Sequence, residues 1–173
     1  MKKLLFGSAI LIVTSCTAQL SQSDKSQTPP DYNTAEPDLS TPEGTAYAMM
    51  MAMYRGDSEL VDRVFHPDGD LHRVRSDGSV QFAERARWQE WVGTLETGYA
   101  NEEIFNIEVE EFGNLATVWA PFAIWIDGEI SGCGVNQLSM AKTDGEWKII
   151  SGMDVQAPKD SCESFKADYQ LTR

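Results

Sequence analysis

Residues 104–154 constrain this chain more than any other stretch, because apolar-rich runs alternate there with tight-turn signals. The runs 104–111, 115–126, 129–142 and 147–154 carry the branched and aromatic side chains that suit a pleated surface. Between them stand Phe112-Gly113-Asn114, Asp127-Gly128 and Asp144-Gly145. Each is a hairpin signal, since a short turn that follows the twist of its strands needs residues tolerant of positive φ. Successive hairpins predict an antiparallel meander of four strands.

The preceding region has helical periodicity. Thr41-Pro42-Glu43 supplies an N-cap, a first-turn proline and an acid at the positive end of a helix. Tyr47, Met50, Met51 and Tyr54 then recur at the spacing of one helix face, and Gly56 stops the helix. Asp57 caps a second short helix with Leu60, Val61, Val64 and Phe65 on its apolar face, ended by Pro67. A short strand over 71–75, a turn at Ser76-Asp77-Gly78 and a third helix over 83–96, with Trp88, Trp91, Val92 and Leu95 on one face, complete the set. Helices gathered on one side of an antiparallel sheet make a two-layer α+β domain, here residues 41–158.

The N-terminus reads as an address. Lys2 and Lys3 precede an apolar stretch, 4–13, that is too short to span a bilayer, which needs about twenty residues, but suits a secretory signal. It ends in Val13-Thr14-Ser15-Cys16, which resembles the bacterial lipobox. That resemblance implies cleavage after residue 15 and a diacylglycerol thioether on Cys16. Thr17 in place of Asp favours an outer-membrane destination facing the periplasm. The alternative is an ordinary secretory signal cut after Ala18. Residues 17–40 are rich in Ser, Gln, Asp, Thr and Pro, and read as an unstructured tether between anchor and domain. With 27 acidic against 14 basic residues the net charge is −13. That balance excludes a phosphate-binding cationic face, so nucleic acid is not an expected partner. It also means that lipid, not charge, must hold the chain to a membrane.

Cys133 and Cys162 remain as an even pair in an oxidising compartment, where a disulfide, two buried thiols or a catalytic thiol are the alternatives. Residues 159–173 form a polar tail around Cys162.

The order of elements, with Met53-Tyr54-Arg55-Gly56-Asp57, Phe65-His66-Pro67-Asp68, Ala116-Thr117-Val118-Trp119-Ala120-Pro121-Phe122, Ser131-Gly132-Cys133-Gly134-Val135-Asn136 and Gly145-Glu146-Trp147-Lys148-Ile149-Ile150, resembles the nuclear transport factor 2-like superfamily, near its SnoaL-like and lumazine-binding-like branches. The resemblance covers about residues 41–162. It implies a cystatin-like, cone-shaped curved antiparallel sheet packed on N-terminal helices, in which relatives bind a small apolar molecule or carry out isomerase, dehydratase or cyclase chemistry. It also favours a bridge between Cys133 and Cys162. One departure matters: ketosteroid isomerase-like members carry an acid on the first strand where this chain has Arg73, with His72 beside it. The carboxylate base of that reaction is absent at that place.

His72 is the candidate acid–base residue, since imidazole titrates near neutral pH. If Leu71 points inward, however, alternation sends Arg73 into the cone and His72 out of it. An inward Arg73 offers paired hydrogen bonds to a ligand carboxylate; an outward one lies along a solvated strand. His66 fits a structural role at the negative end of a helix. Asn136 shares the core face with Ile130, Leu138 and Met140, where an amide needs a partner, either a ligand or a neighbouring group. Gly132 and Gly134 on that face leave room for a cavity, and the same alternation puts Cys133 on the outer face within reach of the tail. Tyr54, Trp88 and Trp119 are the aromatic candidates for a pocket lining. Asp154 reads as a solvated carboxylate at the rim. No metal site is expected from two histidines six residues apart, and no cofactor is implied, as there is no phosphate loop or nucleotide fingerprint.

These readings favour a lipid-anchored envelope protein whose cone binds a small, mainly apolar molecule without catalysis. The alternatives are a SnoaL-like enzyme using His72 as base, with Arg73 or Asn136 stabilising an oxyanion, and a homodimeric envelope interaction protein using the outer sheet face, where Ile150 needs a cover.

Overall fold

Helix α1 (Pro42–Arg55) starts where its cap residues predict: Thr41 Oγ1 accepts from the Gly44 amide at 3.0 Å, and Pro42 occupies the first turn. It ends at Gly56, whose φ of 68° is left-handed and whose amide donates to the carbonyls of Ala52 and Met53. A Cβ at residue 56 would stand 2.2 Å from the Leu95 carbonyl oxygen. Gly56→Ala therefore combines left-handed strain with a backbone clash, and is expected to lower unfolding free energy by about 2 kcal/mol or more in urea titration.

The computed structural model describes residues 28–171, so the expected signal segment 1–15, Cys16 and the first part of the expected tether lie outside the described residues. The second part of the tether corrects the expectation of an unstructured linker. Tyr32 and Leu39 are buried, Arg55 Nε donates to the Tyr32 carbonyl at 2.6 Å and Nη2 to that of Ala35, and the Trp147 amide donates to the Leu39 carbonyl at 2.8 Å. Two apolar side chains and one arginine satisfying two carbonyls suffice to dock this polar run. Because it covers one side of α1 and the sheet covers another, every residue from Thr45 to Met53 is buried, well beyond the single stripe seen in the sequence.

After α2 (Ser58–Val64), capped by Asp57 on the Leu60 amide at 2.9 Å, the chain enters β1 (Phe65–Val74), then β2 (Val80–Gln81) and α3 (Arg85–Val92). The third helix is shorter than expected, because Ala83 takes a left-handed φ of 59° and Gly93 closes the other end. Strands β3 (Ala100–Ile104) and β4 (Glu108–Phe112) replace the single run 104–111. The break falls at Asn106, with φ 47°. It lets β3 pair with the far half of β5 (Leu115–Ile126) and β4 with the near half. Strands β6 (Glu129–Thr143) and β7 (Glu146–Gln156) follow through Asp127-Gly128 and Asp144-Gly145, all four residues at positive φ as those turns demand.

The seven-stranded sheet runs β2-β1-β7-β6-β5-β3, with β4 also on β5. The wholly antiparallel sheet of the sequence reading is corrected at one pair: β1 runs parallel to β7, Leu71 opposite Gly152. Hairpin signals mark only sequential antiparallel neighbours, whereas this pair closes across most of the domain.

The tail is also more ordered than its polarity suggested. A 3-10 turn (Lys159–Ser161) leads into α4 (Cys162–Leu171). A Cys133–Cys162 disulfide and a buried cluster with Phe105 and Ala123 hold α4 on the outer sheet face, and Lys166 reaches Glu103 at 2.5 Å. Ile150, at a bulge in β7, stays 37% exposed.

Candidate functional site

Register builds the site. Asn136 on β6 lies opposite Asp154 on β7, which lies opposite Arg73 on β1, so three adjacent strands present one polar row. The row two residues deeper is Leu138, Gly152 and Leu71, and it packs in the core. Leu71 is therefore inward, which puts Arg73 on the cavity face and His72 on the opposite face. From β3, Glu102 points the same way as fully buried Ala100 and Ile104, and its Oε1 accepts from Asn136 Nδ2 at 2.7 Å. The partner that a buried Asn136 requires is thus a carboxyl group. Arg73 Nε donates to both Asp154 oxygens, at 3.0 and 2.9 Å, and Nη2 lies 2.7 Å from Oδ2.

These groups open on a cavity of about 430 Å³, walled by Met50 and Met53 from α1, Phe122 from β5, Leu138 from β6 and Trp88 from α3. Burial pushes the Glu102 carboxyl up to about 7; the Asn136 hydrogen bond and the Arg73 charge oppose the shift, and the Asp154 charge adds to it. The bond to Asp154 holds the Arg73 guanidinium above its usual range. The arrangement can present a carboxyl group that changes charge near neutral pH inside a mainly apolar chamber. Among the described residues no three His, Cys, Asp or Glu side chains gather as a metal site.

Of the residues singled out from sequence, Arg73, Trp88 and Asn136 border the cavity, His72 touches its edge from the opposite face of β1, and Tyr54 and Trp119 do not border it. The Tyr54 ring packs edge-on against Tyr32, centroids 6.1 Å apart, at the end of α1. Trp119 sits on the outer face of β5, opposite Glu108 and Gln137. The ring of His72 meets Phe82 edge-on at 5.3 Å. His66 lies on β1 just past the end of α2, and its Nδ1 accepts from the Asp68 amide at 3.2 Å. Arg73 spends its paired bonds on Asp154, not on a free position for a ligand carboxylate.

Two expectations on β6 need correction. Gly134 leaves no cavity space, since a Cβ there would lie 2.0 Å from the Val155 carbonyl oxygen; the glycine permits close approach of β7. A bulge at Ser131 breaks the alternation, so Ser131 faces the cavity while Ile130 joins Cys133 in the outer cluster. The sequence reading also missed two carboxylates. Asp154, read as solvated, is only 16% exposed. Glu102 precedes the strand expected at 104, although its place midway between Ala100 and Ile104 is a period-two signal that marks an inward acid.

The family described as "Putative lumazine-binding" matches residues 41–153. The chain belongs to this lumazine-binding-like family. Solved structures agree on the fold. A protein of unknown function from Mycobacterium tuberculosis is similar at 18% identity and TM-score 0.56, over 70% of this chain and 73% of its own. A "putative dehydratase from the NTF2-like family" of Streptomyces avermitilis is similar at 19% and 0.55, over 69% and 96%. A cystatin-like protein of unknown function from Nostoc punctiforme is similar at 15% and 0.53, over 67% and 88%. No curated protein sequence matches the chain.

Proposed function

We propose that this lumazine-binding-like domain holds a small, mainly apolar molecule in its cavity, and that the chain is anchored in the cell envelope by lipid on Cys16, on an outer membrane facing the periplasm. The observation that supports binding is the chamber itself, with Met50, Met53, Trp88, Phe122 and Leu138 around a compact polar row; ligand sites are concave, mostly apolar and carry few, fixed polar groups. The anchoring reading rests on the lipobox-like Val13-Thr14-Ser15-Cys16. Two acyl chains or more give stable attachment, each buried CH₂ contributing about 0.8 kcal/mol.

Native mass spectrometry of the full chain extracted from its own membranes, followed by solvent extraction, tests the pair. A defined mass released from the protein is the expected result, and Asn136→Leu is expected to lose it. Bare protein from several preparations counts against the binding reading. Cys16→Ser should release the protein from the membrane fraction; continued membrane association counts against the anchor.

A second reading, proton-transfer chemistry, is favoured by Glu102. A general acid or base works best with a pKa near the working pH, and Glu102 is pushed up to about 7 beside the cavity. It would take the role that the sequence offered to His72, whose ring packs on Phe82. Turnover that survives Glu102→Gln counts against this assignment.

A further inference from the structure

The polar row is unbalanced in a way that selects for charge. Each donor side chain already faces an acid: Asn136 Nδ2 on Glu102, Arg73 Nε and Nη2 on Asp154, and Arg87 Nη1 on Glu84 at 3.1 Å. The acceptors are not exhausted, since an ionised carboxylate has about four lone-pair sites. Three carboxyl groups, Glu84, Glu102 and Asp154, border the cavity with two guanidinium groups. With Glu102 ionised, an entering anion would add to an excess of negative charge, whereas an entering cation cancels it. The same space is lined by Trp88, Trp91 and Phe122, whose ring faces attract cations. The chain as a whole, at −13, raises the local concentration of cations.

We propose that the cavity selects a protonated amine, a compact molecule whose ammonium group lies against Glu102 and Asp154 while its apolar remainder packs among Met50, Met53, Phe122 and Leu138. The inference rests on the small-molecule-binding reading above and names its ligand class. Binding is coupled to one proton: Glu102, neutral in the empty cavity at mildly acid pH, ionises as the ammonium arrives and its proton leaves to water, the ammonium staying protonated. The groups facing Glu102 are Asn136 from β6, Asp154 from β7, Arg73 from β1 and Tyr32 from the segment before α1. The cavity face of α1 brings Met49, Met50 and Met53, none of them titratable. Affinity for the amine therefore rises as pH rises through the Glu102 transition.

Titration calorimetry of the full chain with three probes of matched shape tests this: 2-phenylethylamine, 2-phenylethanol and 3-phenylpropanoate. The amine is expected to bind roughly tenfold more tightly than the alcohol at mildly alkaline pH, and the carboxylate more weakly than both. Glu102→Gln, which keeps an acceptor for Asn136, should remove most of that preference for the amine over the alcohol. Alcohol or carboxylate binding as tightly as the amine overturns the proposal and leaves the cavity reading standing. If none of the three binds, the proposal falls, and the extracted ligand mass alone then decides the cavity reading.

Discussion

Glu102→Gln is expected to stabilise the protein by about 3 kcal/mol near pH 8 and to leave it nearly unchanged near pH 4. The folded-state carboxyl is raised from 4.5 to about 7, chiefly by burial. A raised acid holds its proton in the folded state over a window where the unfolded chain has lost it. Its contribution to stability is therefore complete below 4.5 and is lost as pH rises through about 7. Above that window the native protein carries a desolvated carboxylate with one amide bond and the Arg73 charge as compensation. Glutamine keeps the oxygen that accepts from Asn136 and never ionises, so it avoids the desolvation. The shift of about 2.5 units corresponds to the quoted energy at 1.36 kcal/mol per unit. Guanidinium unfolding of both forms at the two pH values isolates the effect, since carboxylates that do not interact with Glu102 cancel in the difference. A difference that does not change with pH would show that Glu102 titrates normally.

Removing the disulfide should have a comparable effect in the opposite sense. Cys133 and Cys162 are separated by 29 positions, and both are buried. Closing a loop of that length contributes about 3–4 kcal/mol in the chain-entropy account. Cys133→Ala with Cys162→Ala is expected to lower unfolding free energy by that amount. It also loosens α4, whose other contacts among the described residues include the Phe105–Phe165 ring pair, centroids 6.3 Å apart, and the half-exposed Lys166–Glu103 pair. Exposed ion pairs add at most about 1 kcal/mol. Near-ultraviolet dichroism should then change as Trp125 loses its cover, while the cavity side is unaffected. A loss below about 1 kcal/mol would mean that α4 docks without the bridge.

Legibility in the sequence followed the range of the interaction. The Thr41 and Asp57 caps, the Gly56 stop and the Asp-Gly turns each rest on contacts within a few residues, and each stands where the residue types put it. The inward face of β6 was readable from Asn136 through Met140, because alternation is a local rule. It failed at Ser131, where a bulge set by pairing with β5 inserts one residue. The split of β3 from β4 at Asn106 escaped for a similar reason: the chain there crosses from one half of a twelve-residue strand to the other, and only the partner strand reveals the corner.

For the site, the sequence determined that Asn136 faces the core and needs a partner, and that Arg73 or His72, not both, faces the cavity. The tertiary structure decided between them through a single parallel pair, β1 on β7, which sets Leu71 against Gly152 and aligns Arg73 with Asp154. It also supplied Glu102, from a strand the sequence placed too late. Local periodicity fixes which side chains share a face, since that depends on backbone geometry alone. Which faces meet depends on the order of strands in the sheet, and with it the burial that pushes Glu102 toward neutrality.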